Sequence, residues 1–445
     1  MIESYLRNFE AFSANGGGSA PPAVRSLRLS AITRFETLGF PTTKNEDWHF
    51  TSTAPIAETD FSPLTKPART PDASALSPYR FSAEWHTLVF VNGRYDASLS
   101  GGAALPDGVH VMPLGRAYIE LPLVVDQYLG NVASFDAHTF TALNTAFIND
   151  GAVIHVGKDV ELAAPIHLLF VSDAAAANGV AQPRNLIVLD RHAKATVVES
   201  YAGLAPGRYF TNVVTEAVVG EGATLTHLKL QQESADAFHI GTVDVRQARD
   251  SHLFSFSFAT GGALARTNIY TTLRGEGCGA TLNGLYIGDR DQHIDHQTRI
   301  EHVAPACYSR ELYKGILDGE AHGVFNGKVF VHPEAQKTDG KQTNNTLLLS
   351  EKARIDTKPQ LEIFADDVKC THGATVGRLD ETALFYMKSR GVNARLARDL
   401  LTYAFAADVL ESIACTEVRE GLEAATLQRY TRQWAGVLPE YAGSR

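Results

Sequence analysis

The chain has 445 residues, 44% of them hydrophobic and 20% charged, which is room for two or three domains of an ordinary globular protein. A formal net charge of −10 and the lack of any basic stripe exclude the footprint of a nucleic-acid binder. No run approaches the roughly 18 apolar residues of a membrane span, no signal peptide opens the chain, and the scattered Cys278, Cys307, Cys370 and Cys415 suit a reducing cytoplasm better than a disulfide framework.

In chain order, Gly16-Gly-Gly-Ser reads as a flexible turn ahead of a helix that Pro21 and Pro22 introduce. Its apolar face carries Val24, Leu27, Ala31, Phe35 and Leu38, and Gly39 stops it. Pro55, Pro63, Pro67, Pro71 and Pro78 make 53–78 a linker or an extended strap. Residues 1–78 thus form an N-terminal helical region with its linker.

From about Phe81 to Thr375 the pattern is strand-like, beginning with an Asn-Gly hairpin signal in Val89-Phe-Val-Asn-Gly-Arg-Tyr. A repeat runs through this stretch. Strand-like segments starting at Thr211, His239, Thr267, Asp295 and Gly323 are each 28 residues apart, and Ala195, Ala223, Ser251 and Ala280 follow steps of 28, 28 and 29. A fixed period carried by Val, Ile, Thr, Tyr and Phe and punctuated by Gly, Asp and Asn predicts a β-solenoid of about six or more coils over 150–370. The expected fold is mainly β, a parallel β-helix core over 79–375 with helical regions at both ends. One interruption, 113–149, carries Leu123, Val124 and Tyr128, then Phe140, Leu143 and Phe147. It predicts two short helices capping the open end of the solenoid, whose bare edge would otherwise template aggregation.

The last region, 376–445, switches to helix. Asp380 caps a first helix with Leu384, Phe385 and Met387, ended by Gly391. Asn393 caps a second with Leu396, Leu400, Leu401, Ala404 and Leu410 on its apolar face, and a third from Thr416 carries Val418, Leu422, Leu427, Tyr430 and Trp434.

No nucleotide-binding loop, zinc-protease helix or nucleophile elbow is present, so the chain does not read as an enzyme. Gly275, Gly277 and Gly279 imitate part of a dinucleotide fingerprint but fall where a coil turns. His293, His296, His302, His322 and His332 lack any fixed metal spacing and read as ladder or surface histidines. Asp366 and Asp367, placed on a strand, fall on opposite faces, which argues against a paired-carboxylate mechanism. On the same final strand, a period of two places Cys370 and His372 on one face and Thr371 on the other. Such a pair suits a soft metal or an iron–sulfur unit if a partner chain completes the ligand set. Taken alone, the two residues favour a packed cysteine beside a hydrogen-bonded histidine.

Four stretches carry a family resemblance: Asn45-Glu-Asp-Trp-His-Phe-Thr, Gln342-Thr-Asn-Asn-Thr-Leu-Leu-Leu-Ser, Ala365-Asp-Asp-Val-Lys-Cys-Thr-His-Gly-Ala-Thr-Val-Gly and Leu384-Phe-Tyr-Met-Lys-Ser-Arg-Gly. They resemble the SufB/SufD family of iron–sulfur cluster assembly scaffolds. SufB-type chains carry a cysteine just before the apolar run, where Asn344 stands here, and Glu-His-Glu where this chain has Thr371-His-Gly. An amide cannot take up sulfane sulfur by thiol exchange, so the resemblance is to the SufD branch.

The resemblance implies a right-handed β-helix in a cytoplasmic complex of one SufB, one SufD and two SufC ATPase subunits. It implies a nascent cluster, or iron, held transiently at the SufB–SufD interface by His372 with Cys370 beside it, and no tightly bound cofactor. It also implies docking of SufC on the C-terminal helices, with Met387, Arg390, Gly391, Arg398, Leu401 and Tyr403 as contacts. An isolated chain could pair with itself. Two other classes stay open at this point: a β-helix polysaccharide lyase or hydrolase, and a purely structural homodimeric scaffold.

Overall fold

Strands of this chain alternate between two sheets, one strand to each sheet per coil. The computed structural model describes residues 2–15, 20–64 and 70–431, and in it the chain is mainly β, a parallel solenoid of about 8 turns with helices toward both ends. The first sheet runs from Ala152–Val156 through Arg184–Leu189 and Phe210–Val219 to Arg354–Ile363. The second runs from His86–Val91 through Ile166–Ser172 and Lys194–Gly203 to Val368–Gly377. Trp434, expected on the third C-terminal helix, the Gly16–Ser19 turn and Pro67 lie outside the described residues.

The solenoid is present, but its period is not fixed. Thr211 pairs with His239, a step of 28, whereas His239 pairs with Ala265, a step of 26. Thr267 pairs with His296 and Gly323 with Ile355, steps of 29 and 32. Corner loops absorb or shed residues without disturbing the ladders, so the repeat read from the sequence is an average over loops of unequal length.

Alternate residues of both sheets point into a shared interior, where Ile154, Ile187, Val243, Leu225, Leu282 and Phe325 belong to one buried cluster. The other face of each sheet is covered as well. Val153, Leu186 and Val188 of the first sheet pack against Leu114, Ala117 and Val125, and Phe210, Phe238 and Leu264 pack against Phe35 and Phe140. Val198, Leu228, Phe256 and Ile287 of the second sheet pack against Val409, Leu410 and Val418. Double-sided burial is the usual condition of parallel strands.

This arrangement corrects the expectation for 113–149. Three helices form there, Leu114–Glu120, Pro122–Tyr128 and Thr139–Ala146, and they lie along the outer face of the first sheet rather than over its end. The apolar outward row of that sheet needs the cover. The end is closed instead by Val109–Pro113, antiparallel to Ala152–Val156, and by the expected hairpin, with Phe90 opposite Tyr95. Asn92 and Gly93 at its tip both have positive φ, 51° and 76°, the geometry of a two-residue type I′ turn.

The helix Pro22–Leu38 buries Val24, Ala31 and Phe35 as expected, and Gly39 N–H donates to Phe35 O at its end. The strap beyond it is more structured than a linker. It holds the short helix Ala54–Ala57 and adds Ser62–Pro63 as a parallel strand beside Gly179–Ala181. Just before it, the Asn45-Glu-Asp-Trp stretch is clasped to distant coils. The Arg266 guanidinium lies 3.7 Å from the centre of the Trp48 ring, donates to Asp47 O at 2.6 Å and pairs with Asp295 at 2.8 Å. Thr51 donates to Asp295 at 2.6 Å, and Lys358 reaches Glu46 at 2.9 Å.

Asp380 and Asn393 cap their helices as expected, accepting from Thr382 N at 2.8 Å and Arg395 N at 2.9 Å. The helices are Glu381–Ser389, Ala394–Leu410 and Thr416–Thr431. The buried face of the second is rotated from the expected one: Ala397, Thr402, Ala406, Val409 and Leu410 are buried, while Ala404 is exposed. Small residues let this helix lie close to the sheet, so Ala397 and Ala406 pack while Leu396, Leu400 and Leu401 sit half-buried at the margin.

Candidate functional site

The last coil is open. Val368–Gly377 pairs only with Thr338–Leu348 and Arg354–Ile363 only with His322–Val331, so among the described residues both strands have a free edge. Ile363, Phe364 and Val376 are 37%, 59% and 50% exposed there, an apolar margin that soluble proteins normally cover. Cys370 points inward among Val329, Val331, Ala335 and Leu361, and burial pushes its thiol pKa up. His372, two residues on, shares that inward face in register with Gln342 and is exposed because no further coil covers it. Asp366 and Asp367 precede the strand in a bend, so the alternation expected of them does not apply. No group of three or more His, Cys, Asp or Glu among the described residues is arranged to hold a metal ion. Cys370 and His372 therefore offer at most part of a coordination set.

Directly beneath His372 the interior is polar. The inward row reads His227, Ser255, Leu282, Glu311, Gln342 and His372 in successive strands of the second sheet. Its neighbour includes Glu199, Lys229, Ser257, Tyr313 and Asn344. Glu199 accepts from Tyr201 and Thr215 at 2.7 Å, and His239 bridges Lys229 at 2.8 Å and Glu233 at 2.7 Å. Burial pushes Lys229 down to about 8, against the pull of Glu199 and Glu233. Sequence reasoning missed this network. In Thr224-Leu-Thr-His-Leu-Lys-Leu-Gln the alternation is legible, but with both faces buried it does not say that the polar set faces inward.

Glu311 is 3% exposed, and burial pushes its carboxyl from 4.5 up to about 7 despite the bond from Gln342. The folded chain then holds a proton that the unfolded chain releases, so stability falls as pH rises from 4.5 to about 7. The shift corresponds to about 3 kcal/mol, present as a penalty above pH 7. Glu311→Gln is expected to raise the melting temperature relative to the parent at pH 8 and to leave it nearly unchanged at pH 4.5. Parallel melting curves at both pH values test this, and an equal shift at both would contradict it.

His293, His296, His302 and His322 lie on ladder strands and His332 directly follows one, in keeping with the ladder reading. His293 and His322 meet edge to face with ring centres 4.6 Å apart on the outer face of the first sheet, His302 meets Ser309 at 3.0 Å and His332 meets Glu301 at 2.7 Å. His296 is buried beside Ser257 at 3.1 Å. All four cysteines are free thiols.

On the C-terminal helices, Arg390, Gly391 and Arg398 are exposed and Met387, Leu401 and Tyr403 are half-buried. Of the apolar residues Leu384, Phe385 and Met387 read on the first helix, Leu384 is the buried one. Phe385 and its neighbour Tyr386 stand 72% and 59% exposed.

Comparison with known proteins accounts for this layout. The family model described as the SUF system FeS cluster assembly SufBD core domain matches residues 170–405, and that of the SufBD protein N-terminal region matches residues 1–168. The chain belongs to the SufBD family. It is similar to the iron–sulfur cluster assembly protein SufD of Escherichia coli, 34% identical over 96% of this chain and 95% of that protein. SufD of Bacillus subtilis is 30% identical over 94% of this chain and 96% of that protein, and an iron–sulfur cluster assembly SufBD family protein of Synechocystis is 35% identical over 89% of each. This SufBD protein thus belongs to the iron–sulfur cluster assembly machinery of the SUF system. At the position where SufB-type chains were expected to carry cysteine, Asn344 is 1% exposed and donates to Tyr286 Oη at 3.3 Å. Among the described residues, no helix is long and apolar enough to cross a membrane.

Proposed function

We propose that this chain is the SufD-type scaffold subunit of a cytoplasmic SUF complex, without catalysis or a tightly bound cofactor of its own. Its open coil pairs with a SufB-type chain, and iron or a nascent cluster is held transiently at that interface, with His372 as this chain's ligand and Cys370 as an auxiliary. The observation that carries the reading is the uncapped last coil. Two free strand edges, an apolar margin and an exposed imidazole converge there, and a free edge gains main-chain hydrogen bonds when another strand is added. A partner chain also supplies the ligands that two residues cannot.

The helices Glu381–Ser389 and Ala394–Leu410 dock the SufC-type ATPase through Phe385, Tyr386, Met387, Arg390, Gly391, Arg398, Leu401 and Tyr403. Exposed aromatics beside an arginine are the residue types that dominate interface energetics, and the Arg390 guanidinium already lies 5.2 Å from the Tyr386 ring. Co-expression with SufB- and SufC-type chains and affinity capture tests both contacts at once. The parent is expected to retain both partners. Phe385→Ser with Tyr386→Ser is expected to keep the SufB-type chain and lose the ATPase by at least tenfold, roughly the loss of one hot-spot residue. Full ATPase recovery would place docking elsewhere, and loss of the SufB-type chain from the parent would refute the subunit assignment.

A further inference from the structure

Gln342 lies beneath His372 in the ladder of the second sheet. The two are in register on neighbouring strands, and on its other side Gln342 faces Glu311, again in register. Gln342 is 1% exposed. Its Nε2 donates to Glu311 Oε2 at 2.5 Å, whereas its Oε1 is buried and has no hydrogen-bond partner among the described residues. A buried amide oxygen left unpaired forfeits its hydrogen bond to water without replacement, so it calls for a donor. Neighbouring strands stand about 4.8 Å apart, which places same-face side chains of adjacent strands within reach of each other. In the last coil those next to Gln342 are Cys370, His372 and Ala374. Of these, the imidazole is the strong N–H donor and the one directly in register.

We propose that Gln342 is a positioning residue: its Oε1 accepts a hydrogen bond from one ring nitrogen of His372, fixing the tautomer and leaving the other nitrogen unprotonated and free to face the open end. The inference rests on the reading of His372 as the cluster-facing ligand. A neutral imidazole has one N–H and one lone pair, and an acceptor behind the ring decides which nitrogen carries which. Outer partners of this kind set ligand orientation and basicity. Glu311 fixes the amide itself, since its Oε2 takes the NH2 group and leaves the carbonyl oxygen for the neighbouring layer. Gly327 on the facing sheet leaves the space in which the Gln342 amide lies, because a Cβ there would collide with Nε2.

The test is long-range nitrogen–proton correlation on histidine-labelled apo protein, with the His372 signals assigned by their loss in His372→Asn. The parent is expected to show one dominant tautomer with slowed N–H exchange. Gln342→Leu is expected to show mixed tautomers and fast exchange. Fe(II) titration of the captured complex is expected to show affinity lowered about 10- to 100-fold in the Leu variant. A tautomer ratio in the parent equal to that of free histidine overturns the proposal without any variant. A Leu variant with the parent pattern overturns it too. If the tautomer is fixed as stated but His372→Ala complexes carry full iron, the hydrogen bond stands and the ligand reading of His372 falls.

Discussion

Replacement of His372 by alanine is expected to leave the SUF complex assembled and to remove most of its cluster. The side chain is exposed, in the last layer of the interior, so truncating it opens no cavity and unpairs no strand. What it removes is an imidazole that faces any partner docked on the free edges of Arg354–Ile363 and Val368–Gly377. Iron and acid-labile sulfide per anaerobically isolated complex are expected to fall by at least about tenfold, the lower end of what losing even an outer partner of a ligand costs. Cys370→Ser is expected to have a smaller effect, because that thiol is packed against Val329 and Val331 and burial keeps it protonated. A His372→Ala complex with the parent's iron and sulfide would return this residue to the packed-histidine reading.

The largest loss of stability is expected at Glu216. Its carboxylate is fully buried on the outer face of the first sheet and accepts from Arg184 Nε at 2.9 Å, Gly130 N at 2.8 Å, Val132 N at 2.8 Å and Ala133 N at 2.9 Å. Arg184, equally buried, also donates to Asn144 at 3.1 Å and Thr145 at 3.0 Å. The pair therefore locks the 130–133 turn and the Thr139–Ala146 helix onto the solenoid. Glu216→Ala leaves a buried guanidinium and three backbone N–H groups without their acceptor. Breaking a buried ion pair from one side costs about 3–5 kcal/mol, and equilibrium denaturation is expected to show at least that loss. Removing both charges with Arg184→Met and Glu216→Leu is expected to recover only part of it, because the three backbone donors remain unpaired. A loss below about 1 kcal/mol in the single variant, the level of a surface ion pair, would show that water already reaches this site.

Strand-forming composition and recurring turn residues were enough to announce a solenoid, because each coil is a local unit whose signals repeat. The Asn92-Gly93 hairpin and the Asp380 and Asn393 caps were legible for the same reason: each depends on a few consecutive residues. Cys370 and His372 could be placed on one face because strand alternation is a local rule, and the family motifs pointed to the same residues. The exact register was not legible, since steps of 26 to 32 residues are set by corner loops that leave no periodic trace.

What the sequence determined by itself was therefore the class of fold, the helical ends and the family to which the chain belongs. Only the tertiary structure decided which face of each strand is inside, because a parallel sheet buried on both faces shows no clean hydrophobic-to-polar alternation. It placed the Glu199, Lys229, Glu233 and His239 network in the interior and the 114–146 helices along the first sheet. It also placed Gln342 beneath His372 and left their coil uncovered. Those are relations between separate strands, helices and corner loops, fixed by how the coils fold and stack rather than by any short stretch of chain.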